Sequence, residues 1–384
     1  MRRAMICLIL AIALIFASVP CLAIDGAEPK VSAKSAILID FAERNILYEK
    51  NAHERMPMAS TTKIVTALVV CEALKPDATV KIPCEAVGIE GSSIYLCENE
   101  ILTVEQLLYA LLLESANDAA VALAIAASGS VSEFAKKCNE KAISLGLRNT
   151  NFKNPHGLYD EEHYTTAYDL AILSAEALKN ELLCKIFSVK TAKIPLGATA
   201  DEPFGIGTRV LKNHNKMLSL YEGAIGMKTG FTKKTGRCLV SAATRDGLTL
   251  IAITLNAPND WRDHTALFDF GFENFERRVF YTAGSFSYAL PLCDSKSESV
   301  MLTNTEPLCL TVRKGAEITS VTVEVPFRFA IGSVRRGSFF GQVTISADGV
   351  AARSPLAFSQ SSTGSTKPKV GFFERIYNFF LPEV

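Results

Sequence analysis

The order of patterned segments predicts an α+β domain followed by a small all-β domain. Two observations carry this. Apolar strand-like runs open the chain after residue 34 and return after Ile225, with helical periodicity between them, so the first and last strands belong to one sheet. Near residue 279 the pattern shifts to short β-rich runs with turn residues and no helical period.

The first 23 residues stand apart from the fold. Arg2 and Arg3 precede an almost unbroken apolar run from Ile6 to Phe16, and Cys21-Leu22-Ala23 ends on a small residue. That is a signal-peptide pattern over 1–23 and predicts export. The run is short for an uncleaved membrane anchor, and Pro20 disfavours a lipid attachment at Cys21.

Residues 24–34 read as an exposed lead. Ser35 to Asp40 and Ile46 to Tyr48 form a hairpin around the polar turn Ala42 to Asn45. Helical spacing runs from Thr61 to Leu74 and stops before Lys75-Pro76. A polar stretch to Glu100 follows, with short strand-like pieces. Four helices are expected next, over Val104–Glu114, Asp118–Ala127, Ser130–Leu145 and Thr166–Leu183. Cys238–Ala243 and Leu248–Asn256 are strands joined by the turn Arg245-Asp246-Gly247, and His264–Phe275 is a closing helix. This sets a first domain at 24–278 and a β-domain at 279–358, in which Val321–Pro326 and Gly341–Ser346 alternate. Residues 359–368 have a Ser/Thr/Gly linker composition. In 369–384, Phe372, Phe373, Ile376, Tyr377, Phe379 and Phe380 share one face of a helix, with Glu374, Arg375 and Asn378 on the other. Such a helix reads as an interfacial anchor on a membrane surface, too short to cross one, or else as a terminal helix docked on the protein itself.

Lysine plus arginine equals aspartate plus glutamate, 40 each, so nothing points to nucleic acid or to another strongly charged partner. Beyond the leader, the eight cysteines are widely and irregularly spaced with no C-x-x-C pair. They frame no zinc site, and neither metal nor cofactor is expected.

Three short motifs carry chemistry. Ser60-Thr61-Thr62-Lys63 opens a predicted helix, where residues three apart share a face and the hydroxyl meets the amine. A serine becomes a nucleophile when a neighbour takes its proton, and a lysine does so once burial or nearby positive charge lowers its pKa. Ser115-Ala116-Asn117 lies between two apolar helices and reads either as an interhelical turn or as a pair of side chains aimed into a cleft. Lys228-Thr229-Gly230 precedes Phe231-Thr232. Its glycine admits a ligand backbone close to a strand, and its cation and hydroxyl suit a carboxylate. A second K-T-G at Lys234-Thr235-Gly236 is read as part of the following turn.

S-x-x-K, S-x-N and K-T-G in that order resemble the penicillin-binding proteins and serine β-lactamases. The wider stretches Pro57–Lys63, Glu114–Asp118, Asn154–Leu158, His163–Thr166 and Gly226–Thr232 resemble the low-molecular-weight D-Ala-D-Ala carboxypeptidases. The resemblance implies a transpeptidase-like α+β domain, an antiparallel sheet with helices on both faces, then a β-domain and an amphipathic anchor. It implies Ser60 as acylated nucleophile, Lys63 as its base and Ser115 as proton relay. Asn117 would hold the substrate amide, and Lys228 and Thr229 its carboxylate. The N–H groups of Ser60 and Phe231 would form the oxyanion hole, and Arg262 would assist the carboxylate. The implied partners are a peptidoglycan stem peptide ending in D-Ala-D-Ala and β-lactams as covalent inhibitors. His156 and His163 read as loop-structuring, and Asp118 as a cap or structural partner.

Three alternatives share these residues: a DD-endopeptidase, a β-lactamase and a non-catalytic wall-binding module. A β-lactamase classically needs an extra glutamate in E-x-x-x-N. Glu176 and Asn180 have that spacing but fall within a predicted helix.

Overall fold

The computed structural model describes residues 28–198, 207–293, 295 and 297–363. The leader at 1–23, the tail at 369–384 and residues 364–368 of the linker lie outside the described residues.

Strands β1 (Ser35–Asp40) and β2 (Ile46–Lys50) make the opening hairpin. A 3-10 turn at Ala59–Thr62 runs into α1 (Lys63–Ala73). The short ladder of β3 (Thr79–Lys81) and β4 (Ile101–Thr103) brackets an irregular loop. It leads into α2 (Val104–Leu113), α3 (Asn117–Ser128) and α4 (Val131–Ser144).

The single helix expected over Thr166–Leu183 is two, α5 (Ala167–Leu178) and α6 (Glu181–Ser188). Asn180 leaves helical geometry and its side chain accepts the Leu183 N–H, capping a new start. The apolar spacing continues across this break, which is why periodicity alone did not reveal it. Next come the hairpin β5 (Thr191–Pro195) and β6 (Thr208–Lys212) and the single turn α7 (Met217–Leu220). The meander β7 (Ala224–Thr232), β8 (Gly236–Arg245) and β9 (Leu248–Leu255) follows. Helix α8 (Asp260–Asn274) starts before the expected His264. Asp260 and Asp263 occupy its first turn, where carboxylates suit the positive helix end, and a polar turn shows no apolar period.

These strands form one antiparallel sheet in the order β2-β1-β9-β8-β7. Alternation gives it two apolar faces. Ile37, Ile39, Val240, Ala242, Ile251 and Ile253 join the core built with the helices between α1 and α6. Leu38, Leu239, Leu250 and Ala252 pack on Leu267 and Phe268 of α8. Helices therefore cover both faces, and β7 is an edge strand.

The rest is strand. β10 (Phe275–Tyr281) pairs with β13 (Leu308–Arg313). β11 (Ser287–Cys293), β12 (Ser299–Asn304), β14 (Ile318–Glu324), β15 (Ala330–Ile331), β16 (Phe339–Ala347) and β17 (Val350–Phe358) form a sheet ordered β14-β16-β17-β12-β11-β15. It has its own core, with Leu290, Leu302, Leu310, Val343, Ile345 and Leu356 fully buried. Polar contacts tie the β10–β13 pair to the β1–β2 hairpin. Arg277 donates to Glu43 at 2.7 Å, and the Thr311 hydroxyl donates to Glu43 at 3.2 Å and to Asp40 at 3.3 Å. Burial first, and then the neighbouring Glu43, push the Asp40 carboxyl up to about 6. The eight cysteines from Cys71 to Cys309 are free.

Candidate active site

Ser60 lies in the 3-10 turn, whose geometry its neighbours fix. The Thr61 hydroxyl donates to Met58 O at 2.6 Å and the Thr62 hydroxyl to Ala59 O at 2.8 Å. Ala59 itself is left-handed, with φ +48°, a strained setting for a residue with a Cβ. The loop after Pro155 is seated on this turn. A Cβ at Gly157, φ +87°, would stand 1.9 Å from Ala59 O, so no other residue fits there without moving the turn.

Lys63, one helical turn on from Ser60, is fully buried. Its Nζ lies 3.0 Å from Ser60 Oγ, 2.7 Å from Asn117 Oδ1 and 2.7 Å from His156 O. Desolvation, reinforced by the charge of Lys228, holds its pKa well below the usual lysine value, and Asp118 offsets part of this. A neutral amine has two N–H donors and one lone pair. The two carbonyl oxygens take the donors, which leaves the lone pair for the Ser60 hydroxyl proton.

Ser115 and Asn117 flank the junction of α2 and α3. Ser115 is left-handed, φ +60°, and 5 % exposed. Its side chain makes no hydrogen bond among the described residues. The Asn117 Nδ2 donates to Glu90 O at 2.6 Å, which turns Oδ1 toward Lys63. Both ends of this amide are therefore engaged within the protein. Asp118 accepts from Ser93 Oγ at 2.6 Å and from the Ile94 and Leu96 N–H groups, pinning the loop that backs Asn117. Glu100, paired with Arg209 at 2.6 Å, anchors the same loop, and Arg209 also donates to the carbonyls of Ile94 and Tyr95.

The third motif lies on β7. Lys228 is fully buried, donates to Thr229 O at 2.9 Å, and is pulled down to about 7 by burial. Thr229 is half-buried, and Phe231 is 64 % exposed. Gly230 faces the Ser60 turn. A Cβ there would lie 3.0 Å from Ser60 N and 3.1 Å from Met58 O and Thr61 N. The absent side chain is what brings the strand against the turn. Lys233, Lys234 and Thr235 form the connection from β7 to β8, so the second K-T-G lies mostly in that turn.

His163 is buried and His156 half-buried, and both are neutral, pushed down to about 4 and about 3, chiefly by loss of solvent. His163 Nδ1 accepts the Lys153 N–H at 3.0 Å, which leaves Nε2 to donate to Thr62 Oγ1 at 2.8 Å. His156 Nδ1 accepts from Leu158 N at 3.1 Å. Both therefore structure the loops beside the nucleophile turn.

The structure thus brings Ser60, Lys63, Asn117 and Gly230 together by direct distances. Arg262 is exposed in the first turn of α8 and makes no hydrogen bond or ion pair among the described residues. The cation directly across from Phe231 in the β7–β8 ladder is Arg237, held by Asp260 at 2.9 Å. Sequence reasoning missed the Glu90–Leu96 loop; the small residues Gly91-Ser92-Ser93 are its only visible mark. Glu176 makes ion pairs with Arg44 and Lys179 at 2.9 Å each, and Asn180 caps α6, so this pair supplies no catalytic water base.

Comparison with known proteins gives a consistent answer. The family model described as D-alanyl-D-alanine carboxypeptidase matches residues 23–259. The chain is 36 % identical over 335 residues to D-alanyl-D-alanine carboxypeptidase DacF of Bacillus subtilis, covering 85 % of this chain and 84 % of that one. It is 29 % identical over 360 residues to DacC of Escherichia coli, covering 82 % and 87 %. Penicillin binding protein 5 of Haemophilus influenzae superposes with a TM-score of 0.71 at 27 % identity, covering 88 % of this chain and 99 % of that one. By the family model's match over residues 23–259 and the 36 % identity to a relative across 85 % of its length, the chain belongs to the D-alanyl-D-alanine carboxypeptidase family.

Proposed function

We propose that this family member works as a serine-type D-alanyl-D-alanine carboxypeptidase through an acyl-enzyme on Ser60, and the observation that carries the reading is the buried Lys63 amine 3.0 Å from Ser60 Oγ. Neutral Lys63 takes the hydroxyl proton as Ser60 Oγ attacks the carbonyl carbon of the penultimate D-alanine. The oxyanion accepts from the N–H groups of Ser60 and Phe231. The C–N bond breaks, and Ser115 passes the proton from Lys63 to the leaving amine of D-alanine. Water then hydrolyses the ester and frees Ser60. Lys228 and Thr229 receive the terminal carboxylate, with Arg262 assisting from α8. Asn117 orients Lys63, and it reaches the substrate amide by exchanging its bond to Glu90.

β-Lactams would acylate the same serine. Export follows from the leader pattern, and attachment to the outer face of the membrane from the apolar face of 369–384. Both assignments fit a wall substrate that lies outside the cytoplasm. No single helix among the described residues is long and apolar enough to cross a membrane.

The test is D-alanine release from a stem pentapeptide ending in D-Ala-D-Ala. Release that penicillin blocks, and that Ser60→Ala abolishes with the fold intact, supports the reading. Penicillin labelling that survives Ser60→Ala would place the nucleophile elsewhere.

A further inference from the structure

The β-domain carries an apolar surface that the catalytic chemistry does not use. Phe327, Ile331 and Phe339 are 65 %, 55 % and 70 % exposed. They border a cavity of about 600 Å³ also lined by Val334, Phe340 and Phe358. Exposed aromatic and branched side chains gathered at one cavity are unusual on a surface that meets only water. Within the segment that carries them the charges have one sign. From Val325 to Gly341 the chain carries Arg328, Arg335 and Arg336 and no aspartate or glutamate. All three arginines are exposed, and none forms an ion pair among the described residues. The position also matters: Val334 pairs with Ser362 in an isolated bridge, so the chain leaves the domain at this edge. Phe372 follows Thr363 by nine residues, a reach of at most about 30 Å.

We propose that this face of the β-domain is itself a lipid-binding surface: Phe327, Ile331 and Phe339 enter the headgroup boundary of an anionic bilayer while Arg328, Arg335 and Arg336 pair with its phosphates. Apolar burial and basic attraction are the two components of interfacial binding, and here they occupy one patch. The surface is distinct from the tail anchor and acts beside it. A single anchoring element gives marginal, reversible attachment, and a second makes it stable.

The experiment compares the mature full chain with Phe327→Ser/Phe339→Ser and with Arg335→Glu/Arg336→Glu, each with the tail present. Flotation uses vesicles of phosphatidylcholine alone and of phosphatidylcholine with phosphatidylglycerol. Penicillin labelling checks the first domain, since Ser60 lies in the 3-10 turn away from the patch, and thermal unfolding of each variant checks the β-domain. The arginine change is expected to weaken binding about ten-fold or more on the anionic vesicles and little on the neutral ones. The phenylalanine change should weaken binding to both. Wild-type affinity in both variants would overturn the patch and leave the tail as the attachment. Hydrogen exchange at Phe327–Phe340 adds a second readout. Protection that appears only with vesicles supports the proposal. Protection already present in buffer and lost on removing residues 364–384 would mean that the tail occupies the patch, and would overturn it.

Discussion

Lys63 Nζ sits 2.7 Å from Asn117 Oδ1, and the other end of that amide is fixed on Glu90 O. The base is thus aimed by a residue from a different helix. Lys63→Gln is expected to slow acylation by about 10²- to 10⁴-fold, the usual contribution of a positioned general base. Asn117→Ala should cost less, and mainly in the acylation rate. Stopped-flow labelling with a fluorescent penicillin measures both, and unchanged rates in Lys63→Gln would remove it as the base.

The two buried lysines predict a bell-shaped pH profile. Lys63 must be neutral to accept a proton, so activity falls as acid protonates it, at a pH well below the ordinary lysine range. Lys228 must be charged to attract the carboxylate, so activity falls as pH rises through its value of about 7 in the free enzyme. Lys228→Arg, which keeps its proton, should move the alkaline limb of kcat/KM upward even as the absolute rate drops. An alkaline limb that stays in place would assign it to another group.

Gly230→Ala should separate catalysis from stability. The added methyl meets backbone atoms of Ser60, Thr61 and Met58 at 3.0–3.1 Å, and backbone cannot swing aside as a side chain tip can. A displaced oxyanion donor costs about 100- to 1000-fold in rate. Thermal unfolding should move little. A variant that acylates at the wild-type rate would show that strand and turn have room to part.

The Glu100–Arg209 pair is buried, at 3 % and 13 % side-chain exposure. Arg209→Met leaves a carboxylate without its partner and should destabilise the fold by about 3–5 kcal/mol. Much of that loss should return in Glu100→Gln/Arg209→Met. Chemical denaturation of the two variants reads this directly, and equal stability of single and double variants would refute the pairing argument.

Part of this was legible beforehand. Continuous apolar runs marked the strands at Ser35, Cys238 and Leu248, because a strand covered by helices on both faces is apolar at nearly every position, and the turns carry Asn and Gly. The S-x-x-K spacing forecast the Ser60–Lys63 contact, since one helical turn leaves little choice. Long-range partners were invisible. Nothing in the sequence pairs Asn117 with Glu90, or His163 with Thr62, because these bonds are made by loops that only the folded core brings together. The break at Asn180 was hidden by an apolar period that runs through it, and the early start of α8 by a first turn rich in aspartate.

The unpaired rim of β7 has a further consequence. A free strand edge invites pairing with other copies of the chain, and proteins commonly guard such edges with a bulge or an inward-pointing charge. This strand has both: a register shift between Ala224 and Gly226, with Met227 at φ +97°, and the buried Lys228 just beyond it. The lysine that would greet the substrate carboxylate therefore also deters self-association. Replacing it with an apolar residue of similar length would remove that charge and leave the edge open to edge-to-edge aggregation between neighbouring molecules.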